Sequence, residues 1–188
     1  MESINVQKRD LTVKAKKVRR LGMVTGSVIC KSERETILIQ MEEPVARRLF
    51  RQKREGSKLV LNIDGQAILV QIKEKKLNTL SNEILDFTFQ ALAADDKVNS
   101  IIHILLANDD KIPGQLDKML FEIPYASLPE HMIDTITLDL EGVNTGTTIT
   151  VKDIPELMSD KIELQVDLDE IVLRISEKRK QVTIESEG

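Results

Sequence analysis

Asp64-Gly65 stands between two apolar-rich runs, Leu59–Ile63 and Gln66–Ile72. Asp and Gly together tolerate the positive φ angles of a two-residue turn, so the pair specifies a β-hairpin. A hairpin alone is barely stable in water and leaves open edges, so this part of the chain must continue into a larger sheet. The flanking sequence supplies the strands. Ile4–Arg9 alternates apolar and polar residues, Val24–Ile29 and Thr36–Met41 read as two more strands with the polar run 31–35 turning between them, and Glu83–Leu92 adds another anchored by Ile84, Phe87 and Phe89.

Two helices interrupt this pattern. Ala15, Val18 and Leu21 recur at intervals of three within Lys14–Leu21, which predicts a short helix with one apolar face and Gly22 as its C-cap. A clearer helix is predicted over 43–55, with acids at its start, Pro44 in the first turn, basic residues crowding its end and Gly56 as a stop. Its burial face is expected to use Val45, Leu49 and Phe50. Many short strands with few helices define a mainly β chain and favour a small barrel.

Ala94-Asp95-Asp96-Lys97 marks a boundary, beyond which the pattern is almost purely strand-like. Ile101–Ala107, Met119–Ile123, the alternating Ile136–Leu140, Ile149 with Val151, the run Ile162, Leu164, Val166 and Leu168, and finally Ile171, Leu173 and Ile175 are the expected strands. The expected organisation is a barrel domain over 1–93, a second β-rich domain over 94–178 and a polar tail over 179–188, fraying from Glu177.

Charge divides along the same line. Residues 1–90 hold 18 Lys and Arg against 11 Asp and Glu, a net of +7, whereas the remainder holds 9 against 20, a net of −11. Such asymmetry points to a polyanion meeting the first half only, or to a basic domain neutralised by an acidic neighbour. No apolar run approaches the 18 residues of a membrane span, and the N-terminus lacks the charged start and apolar core of a signal peptide. A single cysteine, Cys30, excludes an internal disulfide and suits a reducing cytoplasm.

Catalytic and metal chemistry find no constellation. His103, expected to face outward from a strand, and His131, expected in a loop, are the only histidines and lie far apart in sequence. A zinc site requires three or four convergent ligands. Cys30 has no positioned histidine and reads as a small strand residue. Neither an enzyme, nor a cofactor, nor a metal site is expected. The strongest signal is Lys14-Ala15-Lys16-Lys17-Val18-Arg19-Arg20, five cations in seven positions, which with Arg9, Lys73, Lys75 and Lys76 can form one cationic surface. An RNA backbone rewards such a surface through counterion release. Aromatic residues are only 3% of the chain, so recognition by base stacking is disfavoured and a structured RNA read by shape and phosphates is favoured.

Lys14 with Arg19-Arg20-Leu21-Gly22, Gly26, the Asp64-Gly65 hairpin and Asp86-Phe87, in that order, resemble large-subunit ribosomal protein twenty-five, whose longer form is the general stress protein Ctc. Leu128-Pro129-Glu130, the strand 134–140, Gly142 to Gly146 and Thr148–Asp153 are similar to that family's acidic C-terminal β-domain. The resemblance implies a six- or seven-stranded N-terminal barrel that binds 5S rRNA within the large ribosomal subunit. The RNA-facing positions it implies are Arg9, Lys14, Lys16, Arg19, Arg20 and Asp86; Lys17, Lys73 and Lys75 join them as neighbouring cations. Two departures stand out. Ile29 occupies the place of a family Tyr and Ile84 that of a family His, both polar RNA contacts there. The alternative reading is a divergent paralogue that keeps the fold and serves as a stress-related protein-interaction module.

Overall fold

The computed structural model describes residues 3–30 and 36–177. The turn expected over 31–35 and the tail beyond Glu177 lie outside the described residues. The chain divides into two compact units, and not at a single point. One runs to Ile101 and takes in Ala126–Asp134; the other comprises Ile102–Tyr125 and continues from Thr135.

The first unit is a closed six-stranded barrel built from β1 (Ser3–Lys8), β2 (Met23–Ile29), β3 (Thr36–Glu42), β4 (Lys58–Ile63), β5 (Gln66–Asn78) and β6 (Glu83–Ala91). Its strand order is β1-β3-β2-β6-β5-β4, closed by a parallel pairing of β1 with β4 that sets Ile4 opposite Leu61. Closure removes the open edges that the hairpin alone would leave. The Asp64-Gly65 turn takes positive φ at both residues (50° and 87°), as a type I′ hairpin requires. Inward positions alternate with outward ones, and Val24, Val28, Ile39, Met41, Leu59, Leu61, Phe87 and Phe89 are all buried within. Phe87 and Phe89 stack with centroids 5.7 Å apart. Gly26 faces the same interior, where an added Cβ would stand 3.1 Å from the Phe87 carbonyl oxygen and 3.2 Å from Ile39.

Two register shifts shape the long strand β5 and its partner β6. Lys73 is an extra residue on β5, between the Ile72–Phe89 and Glu74–Thr88 pairs, and Leu85 is an extra residue on β6, between the Lys76–Asp86 and Leu77–Ile84 pairs. Each bulge turns the following side chains to the other face and increases the local twist that closure demands.

Helix α1 (Ala15–Arg20) is too short to persist by propensity alone and is held by docking. Val18 is its only buried residue; Leu21, expected on the same face, is 70% exposed because the helix ends before it. Helix α2 (Glu43–Gln52) buries Ala46 and Leu49, with Val45 and Phe50 half-buried beside them. It stops three residues short of the expected end, since Lys53 is already extended (φ −115°, ψ 143°). The Phe50 ring meets Phe87 edge to face at 6.3 Å, seating α2 on the barrel core.

The second unit contains two sheets. One has the order β10-β7-β9-β12, from β7 (Val98–Ala107), β9 (Glu122–Ser127), β10 (Thr135–Asp139) and β12 (Ile162–Leu164). The other has the order β11-β13-β8, from β8 (Gln115–Lys118), β11 (Thr148–Thr150) and β13 (Ile171–Ser176). Leu140, Leu173 and Ile175 form a buried cluster, ringed by half-buried residues such as Leu116, Leu138 and Ile149. The strand expected over 119–123 is split: residues 119–121 separate β8 from β9, and Met119 and Phe121 are exposed. The run expected to Leu168 leaves the sheet after Leu164, and Val151 opens a 3-10 turn after β11.

Candidate nucleic-acid interface

A run of polar side chains crosses the outer face of the barrel. Gln7 on β1 pairs across to Gln40 on β3, Gln40 to Thr25 on β2, Thr25 to Asp86 on β6, and Asp86 to Lys76 on β5. The next outward positions, Ser27 and Thr88, are also small and uncharged. The Thr25 hydroxyl lies 2.7 Å from Asp86 Oδ1 and 3.0 Å from the Leu85 carbonyl oxygen, able to donate to either. Burial pushes the Asp86 carboxyl above its ordinary range, while the Thr25 hydroxyl, Lys76 and Arg9 pull it back down and Glu74 pushes it up.

Helix α1 packs beside β2 on this unit. Lys14, Lys16, Lys17 and Arg20 are exposed and have no acidic partner among the described residues. Arg19 differs. Its Nε donates to Glu83 Oε1 at 3.0 Å, and its side chain is only 21% exposed, so it ties α1 to the start of β6. Arg9 organises the approach to the helix: its Nη2 donates to the Val13 carbonyl at 3.0 Å, and Asp10 caps Thr12 within the same loop. Arg9 is close enough to act on the Asp86 carboxyl, and α1 packs beside β2.

Lys73 and Lys75 are drawn elsewhere. Lys73, the bulged residue of β5, donates to the Asn99 carbonyl at 2.9 Å. Lys75 donates to the carbonyls of Phe50 and Lys53 and lies 4.7 Å above the Phe50 ring. It satisfies the orphaned C-terminal carbonyls of α2, and burial lowers its affinity for the proton. Sequence gave these two lysines the same weight as the α1 cations because a bulge and a helix end are not visible in a count of charges. Lys76, by contrast, stands on the polar row, with Glu74 Oε2 3.2 Å from its ammonium.

The two departures from the family pattern fall on different sides of the wall. Ile29 ends β2 on the outer face and is 44% exposed. Ile84 is 3% exposed within the barrel core, although it lies two residues from the outward Asp86. The Leu85 bulge breaks the alternation that would have put both on one face. Thr25, Gln40 and Gln7 were not singled out from sequence; their only signal was a polar alternation within apolar strands.

His103 corrects its expected orientation. It is 7% exposed on β7, an inner strand of its sheet, with Nδ1 3.4 Å from Glu122 Oε1. Inner strands covered on both faces bury consecutive residues, and Ile102, His103 and Ile104 do so. His131 lies in a 3-10 turn, and Cys30 follows the end of β2 and packs against the barrel core. Among the described residues no group of three or more His, Cys, Asp and Glu is placed to hold a metal ion. No helix among them is long and apolar enough to cross a membrane.

Fold and surface define a class: a two-unit β protein whose closed six-stranded barrel carries a short cationic helix and an outer row of polar side chains. Residues 4–89 match the family model described as the Ribosomal L25p family, and residues 97–179 match that described as Ribosomal protein TL5, C-terminal domain. Three similar proteins each carry the name Large ribosomal subunit protein bL25. That of Chlorobaculum tepidum is 25% identical, over 93% of this chain and 89% of its own. The Thermoanaerobacter sp. protein is 26% identical over 96% and 92%, and that of Chlorobium phaeobacteroides 28% over 100% and 94%. The chain belongs to the ribosomal L25p family, as a divergent member with the TL5-type C-terminal domain. This is a family of ribosomal proteins and not an enzyme class.

Proposed function

We propose that this chain is a cytoplasmic component of the large ribosomal subunit that binds 5S rRNA through the outer face of its barrel. The observation that carries the reading is the set of exposed cations on and just before α1, without an acidic partner among the described residues, on the same barrel as the small, uncharged side chains of Ser27 and Thr88. A flat face without bulky side chains can lie against the shallow minor groove of double-stranded RNA, while flanking cations neutralise its phosphates. The contacting residues are Arg9, Lys14, Lys16, Lys17, Arg20, Lys76 and Asp86, with Arg19 reaching RNA only through the part of its guanidinium that Glu83 leaves open. The barrel unit is the RNA-binding domain and the second unit the acidic one.

The test is binding of the purified chain to 5S rRNA, with co-sedimentation of the chain with large subunits. Affinity falling steeply with salt, and the chain recovered in the large-subunit fraction, support the reading. No affinity for 5S rRNA at low salt, with an intact fold, refutes it. Ile29 in place of a family Tyr favours a second reading, a stress-related protein-interaction module on the same scaffold, which that outcome would leave standing.

A further inference from the structure

The acidic unit carries a surface for which RNA binding has no use. Seven acids and two lysines lie between Lys152 and Glu170, and all nine side chains are exposed. Ile154, Leu157 and Ile162 are buried beneath them. The segment folds back so that its two ends run side by side: the Val151 amide donates to the Glu170 carbonyl and the Lys152 amide to the Leu168 carbonyl, each at 3.0 Å. Met158 and Leu168 stand exposed among the acids, at 43% and 46%.

The barrel unit carries the opposite surface. Lys14, Lys16, Lys17 and Arg20, on and just before α1, are exposed without an acidic partner among the described residues and are flanked by Leu11 and Leu21, exposed at 73% and 70%. Charged rims with exposed apolar side chains among them are the ingredients of a weak, electrostatically steered protein contact. The two surfaces are opposite in sign, each holds two exposed apolar side chains, and one chain supplies both at equal concentration.

We propose that these surfaces bind each other between copies, the α1 face of one chain receiving the 152–170 surface of a second, so that the protein self-associates when no polyanion is present. The contact is independent of whether the RNA reading holds, since it needs only the two surfaces. Because its charges are exposed, screening by salt weakens it strongly. A different basic protein would satisfy the acids but would leave the cationic face uncovered.

Sedimentation equilibrium of the full RNA-free chain tests this. The average mass is expected to rise with concentration at about 0.05 M salt, with an association constant at least about tenfold lower at 0.5 M. A quadruple variant, Lys14→Glu, Lys16→Glu, Lys17→Glu and Arg20→Glu, is expected to be monomeric, as is a triple variant, Glu156→Lys, Asp160→Lys and Glu170→Lys. Mixed together, the two are expected to associate again, which unfolded variants would not do. A monomer at every concentration and salt overturns the proposal. So does a monomer whose sedimentation coefficient alone responds to salt, which would mark a contact within one chain. Loss of association in Arg51→Glu with Arg54→Glu, equal to the loss in the quadruple variant, also overturns it by reducing the effect to net charge.

Discussion

Arg19 and Arg20 are neighbours in sequence with opposite expected roles, and separating them tests the proposed interface. Arg20 is exposed and has no acidic partner among the described residues, so its charge is available to a phosphate. Arg19 is paired with Glu83 at 3.0 Å, with side chains 21% and 48% exposed. A partly exposed ion pair of this kind contributes about 0.2–1 kcal/mol to stability. One phosphate contact to a duplex contributes about 0.9 to the slope of log affinity against log salt, so a fourfold rise in salt costs about 3.5-fold in affinity per contact. Arg20→Ala is therefore expected to make the slope shallower by just under one unit and leave unfolding unchanged. Arg19→Ala should cost about 0.5 kcal/mol in urea unfolding and change the slope less. Glu83→Gln is the decisive variant: it removes a negative charge beside the RNA and releases Arg19, and is expected to tighten binding and steepen the slope. The assay is fluorescence anisotropy of labelled 5S rRNA across about 0.05–0.3 M salt. If Arg20→Ala leaves the slope intact, or Glu83→Gln weakens binding, α1 does not face the RNA as proposed.

Gly26→Ala pushes a methyl group against the Phe87 carbonyl and Ile39, and is expected to cost about 1–3 kcal/mol in denaturant unfolding; a neutral result would mean the barrel wall yields there. Asp86 has a raised folded-state pKa, so the native protein binds its proton more tightly than the unfolded chain does, and stability from this group is lost as pH rises from the unfolded value of 3.8 through the folded one. Asp86→Asn should flatten that decline in unfolding measured from pH 3 upward; a decline as steep as in the parent chain would assign it to other groups. Ile29→Tyr, on the exposed face, is expected to preserve stability and tighten RNA binding by up to about 1 kcal/mol, as read by anisotropy. Ile84→His, in the core, is expected to destabilise the barrel by about 1–3 kcal/mol without improving binding; the reverse order of effects would show the two positions have exchanged faces.

What sequence disclosed was whatever depends on local chemistry. The Asp64-Gly65 hairpin, the inward Phe87 and Phe89 and the docking of Leu49 follow from turn stereochemistry and from apolar alternation, both written into neighbouring residues. Errors arose where the outcome depends on what packs from a distance. Leu21 sits at helical spacing but falls beyond the last turn, so its side chain meets no barrel. His103 reads as outward-facing from its own strand, yet Ile102, His103 and Ile104 are buried in succession, so neither face of β7 is open there. Lys75 reads as one more cation until α2 ends over it and presents two carbonyls. The polar row from Gln7 to Lys76 spans five strands, and two of its four junctions, β1 with β3 and β2 with β6, join strands that do not follow each other, so no window of sequence contains it.

The bulge at Leu85 changes how divergence of the site should be weighed. Two lost polar contacts, each worth about 1 kcal/mol, would together weaken RNA binding by about thirtyfold. Because Ile84 faces the core, only Ile29 stands where a missing hydroxyl faces outward, and the expected loss falls to about fivefold. The exposed cations of α1 and the Thr25–Asp86 pair are unaffected by either residue. A loss of that size is comparable to a modest change in salt, given the slope expected from several phosphate contacts. Ile84 therefore gives no ground, and Ile29 a modest one, for a function other than RNA binding. The interaction-module reading then turns on the binding measurement itself: no affinity for 5S rRNA at low salt, with an intact fold, would favour it.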